Sequence, residues 1–123
     1  MIKKSKDCGN SPKQQFLQDL TIALACNSLS DLEVFLSQDI SWSQSGRAEI
    51  SGLDTLTNKL KKSPPVDSLT IHDVVSHGKK GAVRGTYAIS GKTRNFCHFF
   101  EFSNHKYTEV SVIHTMSTPV KSS

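Results

Sequence analysis

Asp39-Ile40-Ser41-Trp42-Ser43-Gln44-Ser45-Gly46, followed after three residues by Ile50-Ser51-Gly52, is the stretch on which the fold turns. In an extended chain Ile40, Trp42 and Gln44 point one way and Ser41, Ser43 and Ser45 the other. Gly46 permits a turn, and 48–50 reads as a short returning strand. Beyond Gly52, the residues Leu53, Leu56 and Leu60 recur at helical spacing, and this helix must stop before Pro64-Pro65.

Upstream the pattern is helical. Residues 1–10 carry Lys3, Lys4, Lys6, Gly9 and Asn10 with nothing apolar after Ile2, and are expected to be a disordered tail. Ser11-Pro12 signals a helix start, with Ser as N-cap and Pro at the first helical position. Phe16, Leu17, Leu20, Ala23 and Leu24 give it an apolar face down to about Cys26 or Asn27. Ser28 or Ser30 opens a second, short helix that buries Leu29, Leu32, Val34, Phe35 and Leu36, with Asp31 in its first turn.

Downstream of Pro65 the pattern becomes extended. Strands are expected over 69–77, 82–89, 95–102 and 107–116, joined by the hairpin-type loops Gly78-Lys79-Lys80-Gly81, Ser90-Gly91-Lys92 and Asn104-His105-Lys106. Leu69 and Ile71 share one phase and Val74 the other, so a bulge is expected between them, bending the sheet. The element order is therefore α-α-β-β-α-β-β-β-β. That is an α+β class: a cone-shaped, strongly curved antiparallel sheet packed against three N-terminal helices, with a cavity at its open end. One domain is expected over 11–117, between the tail 1–10 and a C-terminal tail 118–123.

Composition narrows the function classes. A chain of 123 residues that is 36% hydrophobic and 21% charged reads as an ordinary globular protein with a real core. No apolar run approaches a membrane span, and the lysine-rich start has no apolar stretch behind it, so neither membrane association nor a secretory signal is expected. The net charge of +4 is spread over the N-terminal lysines and pairs such as Lys61-Lys62 and Lys79-Lys80. It forms no stripe interleaved with aromatics, so a nucleic-acid partner is not expected. Cys8, Cys26 and Cys97 lack metal or disulfide spacing and read as free thiols of a reducing cytoplasm. No phosphate-binding glycine loop or G-x-S-x-G elbow is present, and no cofactor is expected.

The first helix over 16–25, Asp39-Ile40-Ser41-Trp42, Gly46, Ile50-Ser51-Gly52 and the ending 102–116 together resemble the nuclear-transport-factor-2-like superfamily, which includes SnoaL-like and ketosteroid-isomerase-like proteins. The resemblance covers about residues 12–117. It departs locally at Asn27-Ser28, where many members have Gly-Asp. It implies a cavity against the strand face of Ile40, Trp42 and Gln44, and the fold it implies commonly dimerises through the outer side of its sheet. In ketosteroid-isomerase-like members a carboxylate general base falls where this chain has Gln44, and a phenolic donor falls near Leu20. An amide takes no proton at neutral pH and leucine donates none, so that isomerisation is not carried over. The second oxyanion donor of those members would fall at His98.

With a three-residue loop over 104–106, Ser103 faces Tyr107, His98 faces Val112, and His114 follows on the same inward face, with Cβ atoms about 7–8 Å apart. Such histidines serve as general acid or base, as ligand donors, or as hydrogen-bonded core groups. No third ligand accompanies them, so no metal is expected. Trp42 reads as core or as an aromatic wall, and Phe96, Phe100 and Phe102 as core. His72, His77 and Arg84 are expected at the surface, with their orientation open, and His105 in solvent.

The expected function is a small-molecule-binding domain for an apolar or aromatic ligand with one polar group. Leu20, Trp42, Gln44, Phe96, His98, Phe100, Val112 and His114 are its expected lining. The alternatives are a SnoaL-like enzyme of isomerase, cyclase or hydrolase type using His98 and His114 as general acid and base, and a dimeric interaction module presenting Cys97, Phe99 and Ile113 on the outer sheet face.

Overall fold

In the computed structural model, residues 1–4, 11–103 and 108–120 are described. The helices form where the caps lie. α1 runs Pro12–Cys26, with Pro12 at its first position and the Ser11 side chain accepting from the Gln14 amide. It ends at Asn27, which adopts a left-handed conformation (φ 54°) and returns its backbone N–H to the Ala23 carbonyl. α2 spans Leu29–Phe35 behind Ser28. Of its expected apolar face, Leu32 is buried while Val34 is exposed. α3 spans Leu53–Lys61 and buries Leu53 and Leu56.

The strands are β1 (Ile2–Lys3), β2 (Leu36–Gln44), β3 (Ile50–Ser51), β4 (Ser68–His77), β5 (Lys80–Ile89), β6 (Lys92–Phe102) and β7 (Val110–Pro119). They form one seven-stranded sheet in the order β1-β4-β5-β6-β7-β2-β3. The α+β class and the helix–strand order agree with expectation, and the four long strands β4 to β7 form the antiparallel meander.

Three expectations are corrected. The sheet is mixed, because β2 pairs with β7 in parallel and β1 with β4 in parallel. A hairpin forces antiparallel pairing, but β2 and β7 are joined by a long path through α3 and the meander, which leaves their direction free. The expected tail at 1–10 contributes its start to the sheet: Ile2 pairs with Leu69 and Lys3 with Thr70, while 5–10 lie outside the described residues. The expected tail at 118–123 likewise begins inside β7, where Thr118 pairs with Asn95, Pro119 with Arg94, and the Val120 amide bonds to the Thr93 carbonyl. Residues 121–123 lie outside the described set.

The expected bulge is present. The β4–β5 register shifts between Ile71 and Asp73, which leaves His72 as the extra residue and restores Val74 to the inner face. His72, His77 and Arg84 are all exposed, and the Arg84 guanidinium pairs with Asp73 on the outer face. Opposite the bulge, Gly85 lets strands and core approach: a Cβ there would collide with the Thr70 carbonyl and stand 3.1 Å from the Phe96 ring.

The core lies between the helices and the inner sheet face. Leu17, Leu20, Leu32, Ile40, Leu56, Val83, Phe100, Val110 and Ile113 are fully enclosed there. Each large side chain contributes about 1.5–3 kcal/mol by leaving water. Ile113, expected on the outer face, is part of this core.

The displacement of Ile113 has a local cause. The Ser103 amide bonds to the Glu109 carbonyl, so the β6–β7 connection is two residues longer than the sequence reading assumed. Ser111 then adds one more, since Phe102 pairs with Val110 but Glu101 with Val112. Together the register moves by three. An odd shift sends every later β7 side chain to the opposite face. His98 faces Thr115, and His114 faces Phe99. The assumed loop position His105 lies outside the described residues.

Candidate functional site

The inner face of the sheet and the C-terminal half of α1 enclose a cavity of about 190 Å³. Its floor comes from Thr21, Leu24 and Ala25 of α1. Its far side comes from Leu60, Pro64 and Val66, where the chain leaves α3. Two bonds hold these pieces together: the Asn27 side chain donates to the Ser63 carbonyl at 2.7 Å, and the Val66 amide to the Ala25 carbonyl at 3.0 Å. The sheet supplies Trp42 and Gln44 from β2, Tyr87 from β5, Phe96 and His98 from β6, and Thr115 and Ser117 from β7. These positions follow from strand alternation, because Phe96, His98 and Phe100 share one face and Val83, Gly85 and Tyr87 share another strand's inner face.

Of the expected lining, Trp42, Gln44, Phe96 and His98 border the cavity. Leu20 and Phe100 are fully buried in the core beneath it and do not border it. Val112 and His114 are corrected: the three-residue register shift turns both to the outer face, where His114 is exposed. His98 and His114 therefore do not meet, and a mechanism that divides acid and base between them has no geometry here.

The polar centre of the cavity is Thr115 instead. The Trp42 indole N–H donates to Thr115 Oγ1 at 2.8 Å, and His98 Nδ1 lies 2.7 Å from the same oxygen. Indole nitrogen is only a donor, so it occupies a hydroxyl lone pair. In the tautomer that uses the remaining Thr115 O–H, the hydroxyl donates to His98 Nδ1. That tautomer carries its proton on Nε2, which has no partner among the described residues, on a ring that borders the cavity. The ring stacks at an angle between Phe96 (centroids 4.9 Å apart) and Phe100 (5.6 Å). Burial among these groups lowers the His98 pKa from 6.5 to about 4, so the ring is neutral at neutral pH. Its remaining surface is the part that borders the cavity.

Most other polar groups of the lining are already engaged, Asn27 and Ser63 in the link between α1 and α3 and Ser117 with Arg94. The Thr21 hydroxyl is spent within its own helix, donating to the Leu17 carbonyl at 2.8 Å. Gln44 and Tyr87 carry the other uncommitted polar ends. No Asp or Glu lines the cavity among the described residues, and no cluster of three potential metal ligands occurs among them. The sequence reading did not single out Thr115 or Tyr87. Tyr87 carried a signal, being in phase with Val83, whereas Thr115 was hidden by the register. No described helix is long and apolar enough to cross a membrane.

No family model matches this sequence, and no curated protein matches it. Solved structures do. A candidate ketosteroid isomerase from Kribbella flavida superposes with a TM-score of 0.76 over 90% of this chain and 81% of its own, at 14% identity. A candidate SnoaL-like polyketide cyclase from Shewanella putrefaciens gives 0.75 over 89% and 91%, at 12% identity. A nuclear-transport-factor-2-like protein of unknown function from Cytophaga hutchinsonii gives 0.71 over 89% and 93%, also at 12% identity. Identities this low speak to backbone path and not to chemistry. The chain has the nuclear-transport-factor-2-like fold.

Proposed function

We propose that the protein binds a small cyclic or aromatic molecule in the cavity beneath Trp42, without a carboxylate-based reaction. One observation carries this reading: a mainly apolar enclosure in which the Trp42 indole N–H and His98 Nδ1 converge on Thr115 Oγ1, an arrangement that fixes the ring and offers its Nε2–H to a ligand beside the polar ends of Gln44 and Tyr87. A hydrogen-bond acceptor on the ligand, such as a ring carbonyl, matches that donor. The neutral imidazole has its other nitrogen occupied by the Thr115 hydroxyl, which argues for orientation of a ligand and against proton abstraction. The modest cavity volume favours a ligand of one or two rings.

The test is calorimetric titration with acetophenone and with ethylbenzene, which share a shape but differ in the acceptor. The ketone is expected to bind about 3–10-fold more tightly, the worth of one neutral hydrogen bond. His98→Phe, checked for folding by circular dichroism, is expected to erase that difference. Equal binding of both probes to the unaltered protein refutes the donor role.

A second copy of this chain is the proposed partner on the outer sheet face. Val75, Ala82, Phe99 and His114 form one cross-strand row there, and Cys97 and Met116 pair in the next. Phe99 is 43% exposed and Met116 65%, an apolar patch of the kind that marks contact surfaces. Light scattering at high micromolar concentration is expected to give a dimer and Phe99→Glu a monomer. A monomeric unaltered protein refutes it.

A further inference from the structure

The cavity adjoins an outer chamber of about 410 Å³, bordered by the exposed Ser45 and Arg47, and the two share Gln44, Ser63, Pro64, Tyr87, Ile89, Thr115 and Ser117. The outer chamber differs sharply in chemistry. What it adds to the shared wall is Ser45 and two guanidinium groups, Arg47 and Arg94. No carboxylate lines either chamber among the described residues.

The two arginines are held by different means. Arg47 sits on the turn after β2, where its amide bonds to the Gln44 carbonyl at 3.1 Å, and its side chain is exposed with no ion pair among the described residues. Arg94, on β6, is braced by neighbours. Its Nε and one Nη lie 3.3 Å and 3.1 Å from the Ser117 hydroxyl, and that Nη also donates to the Ser117 carbonyl. This fixes the plane of the guanidinium and leaves its other Nη without a partner among the described residues. Elsewhere the outer sheet face pairs its cations, Arg84 with Asp73 and Lys80 with Glu101. Among the described residues the arginines of the mouth have no such acid.

We infer that the ligand of this cavity is an acid: a cyclic or aryl carboxylic acid whose ring enters the inner chamber and whose carboxylate lies at the mouth between Arg47 and Arg94. This rests on the pocket reading above and extends it by naming the charged end. Arginine's planar fork suits a carboxylate, and a braced fork loses little freedom on binding. The net charge of +4 adds long-range attraction for an anion.

The experiment is isothermal titration of the full chain with three probes of one shape: 3-phenylpropanoate, 3-phenylpropanamide and 2-phenylethyl phosphate. The acid is expected to bind about ten- to a hundredfold more tightly than the amide, the worth of one charge-assisted contact. Arg47→Gln with Arg94→Gln is expected to bring the acid down to the amide while leaving the amide unchanged. Added sodium chloride is expected to weaken the acid alone. If the amide binds as well as the acid, the anion site is overturned and the pocket stands. Phosphate binding tighter than carboxylate overturns the carboxylic acid assignment in favour of a phosphomonoester. If no probe binds, the pocket reading falls and the acid with it.

Discussion

Replacing Thr115 by valine tests the centre of the site, because it preserves shape and removes one oxygen. That oxygen is where the Trp42 indole N–H (2.8 Å) and His98 Nδ1 (2.7 Å) converge. Trp42 is 7% exposed and Thr115 9%, so water does not readily replace the lost partner. A buried polar group left unsatisfied costs about 1–3 kcal/mol, and two are orphaned here. The His98 ring can relieve part of its share by moving its proton, so the expected loss is about 2–4 kcal/mol. In urea, with a slope of about 1.5–2 kcal/mol per molar, the midpoint should fall by about 1–2.7 M at unchanged slope. Thr115→Ser is the control: it keeps the hydroxyl and loses one methyl, about 1 kcal/mol. The ring nitrogens offer a second readout. In the unaltered protein, nitrogen NMR is expected to find Nε2 protonated and Nδ1 bare. If valine is tolerated as well as serine, or if Nδ1 carries the proton, the hydrogen-bond chain is wrongly drawn.

The pH dependence of stability follows from His98, whose folded pKa of about 4 lies below its unfolded 6.5. Between those values the unfolded chain holds the proton and the folded one does not, so stability rises with pH there. The contribution is full above pH 6.5 and lost as pH falls towards 4, about 3 kcal/mol in all. Urea unfolding of His98→Gln across that window should have a visibly flatter profile than the unaltered protein, and parallel profiles would disprove the burial argument. Gly85→Ala should destabilise by about 2–3 kcal/mol because its Cβ meets the Thr70 carbonyl and the Phe96 ring, neither easily moved. Gly46→Ala, with open space but a φ of 77°, should cost only about 1 kcal/mol. Chemical denaturation that reverses this order would contradict the close approach of β4 and β5.

The helices were legible because their signals are local. Ser11-Pro12 opens α1, and Pro64-Pro65 follows the end of α3, wherever those segments sit in space. The bulge at His72 was legible for the same reason, since the phase of Leu69, Ile71 and Val74 records it in the strand itself. The face of β7 was not. It depends on how many residues the turn after β6 uses and on an extra residue at Ser111, and two-sided strands tolerate either phase. Ile113 and His114 could each have been the inner residue by composition. The site inherited that ambiguity: His98 was found, its supposed partner was on the wrong side, and Thr115 took the place. Arg94 and Ser117 could not be joined by inspection either, because their contact crosses the same ladder.

The parallel seat of β2 on β7 also fixes when the pocket comes into being. The hydrogen bond from Trp42 to Thr115 spans 73 residues of chain, and β2 has no other long partner to hold it in place beforehand. Closing so wide a loop costs more entropy than closing the hairpins of the meander, so the wall of the cavity is expected to form after them. A partly folded chain can therefore hold its helices and much of its meander and still have nothing to offer a ligand. Occupancy of the cavity would act on the finished state alone, drawing the last strand pairing to completion and slowing its reversal.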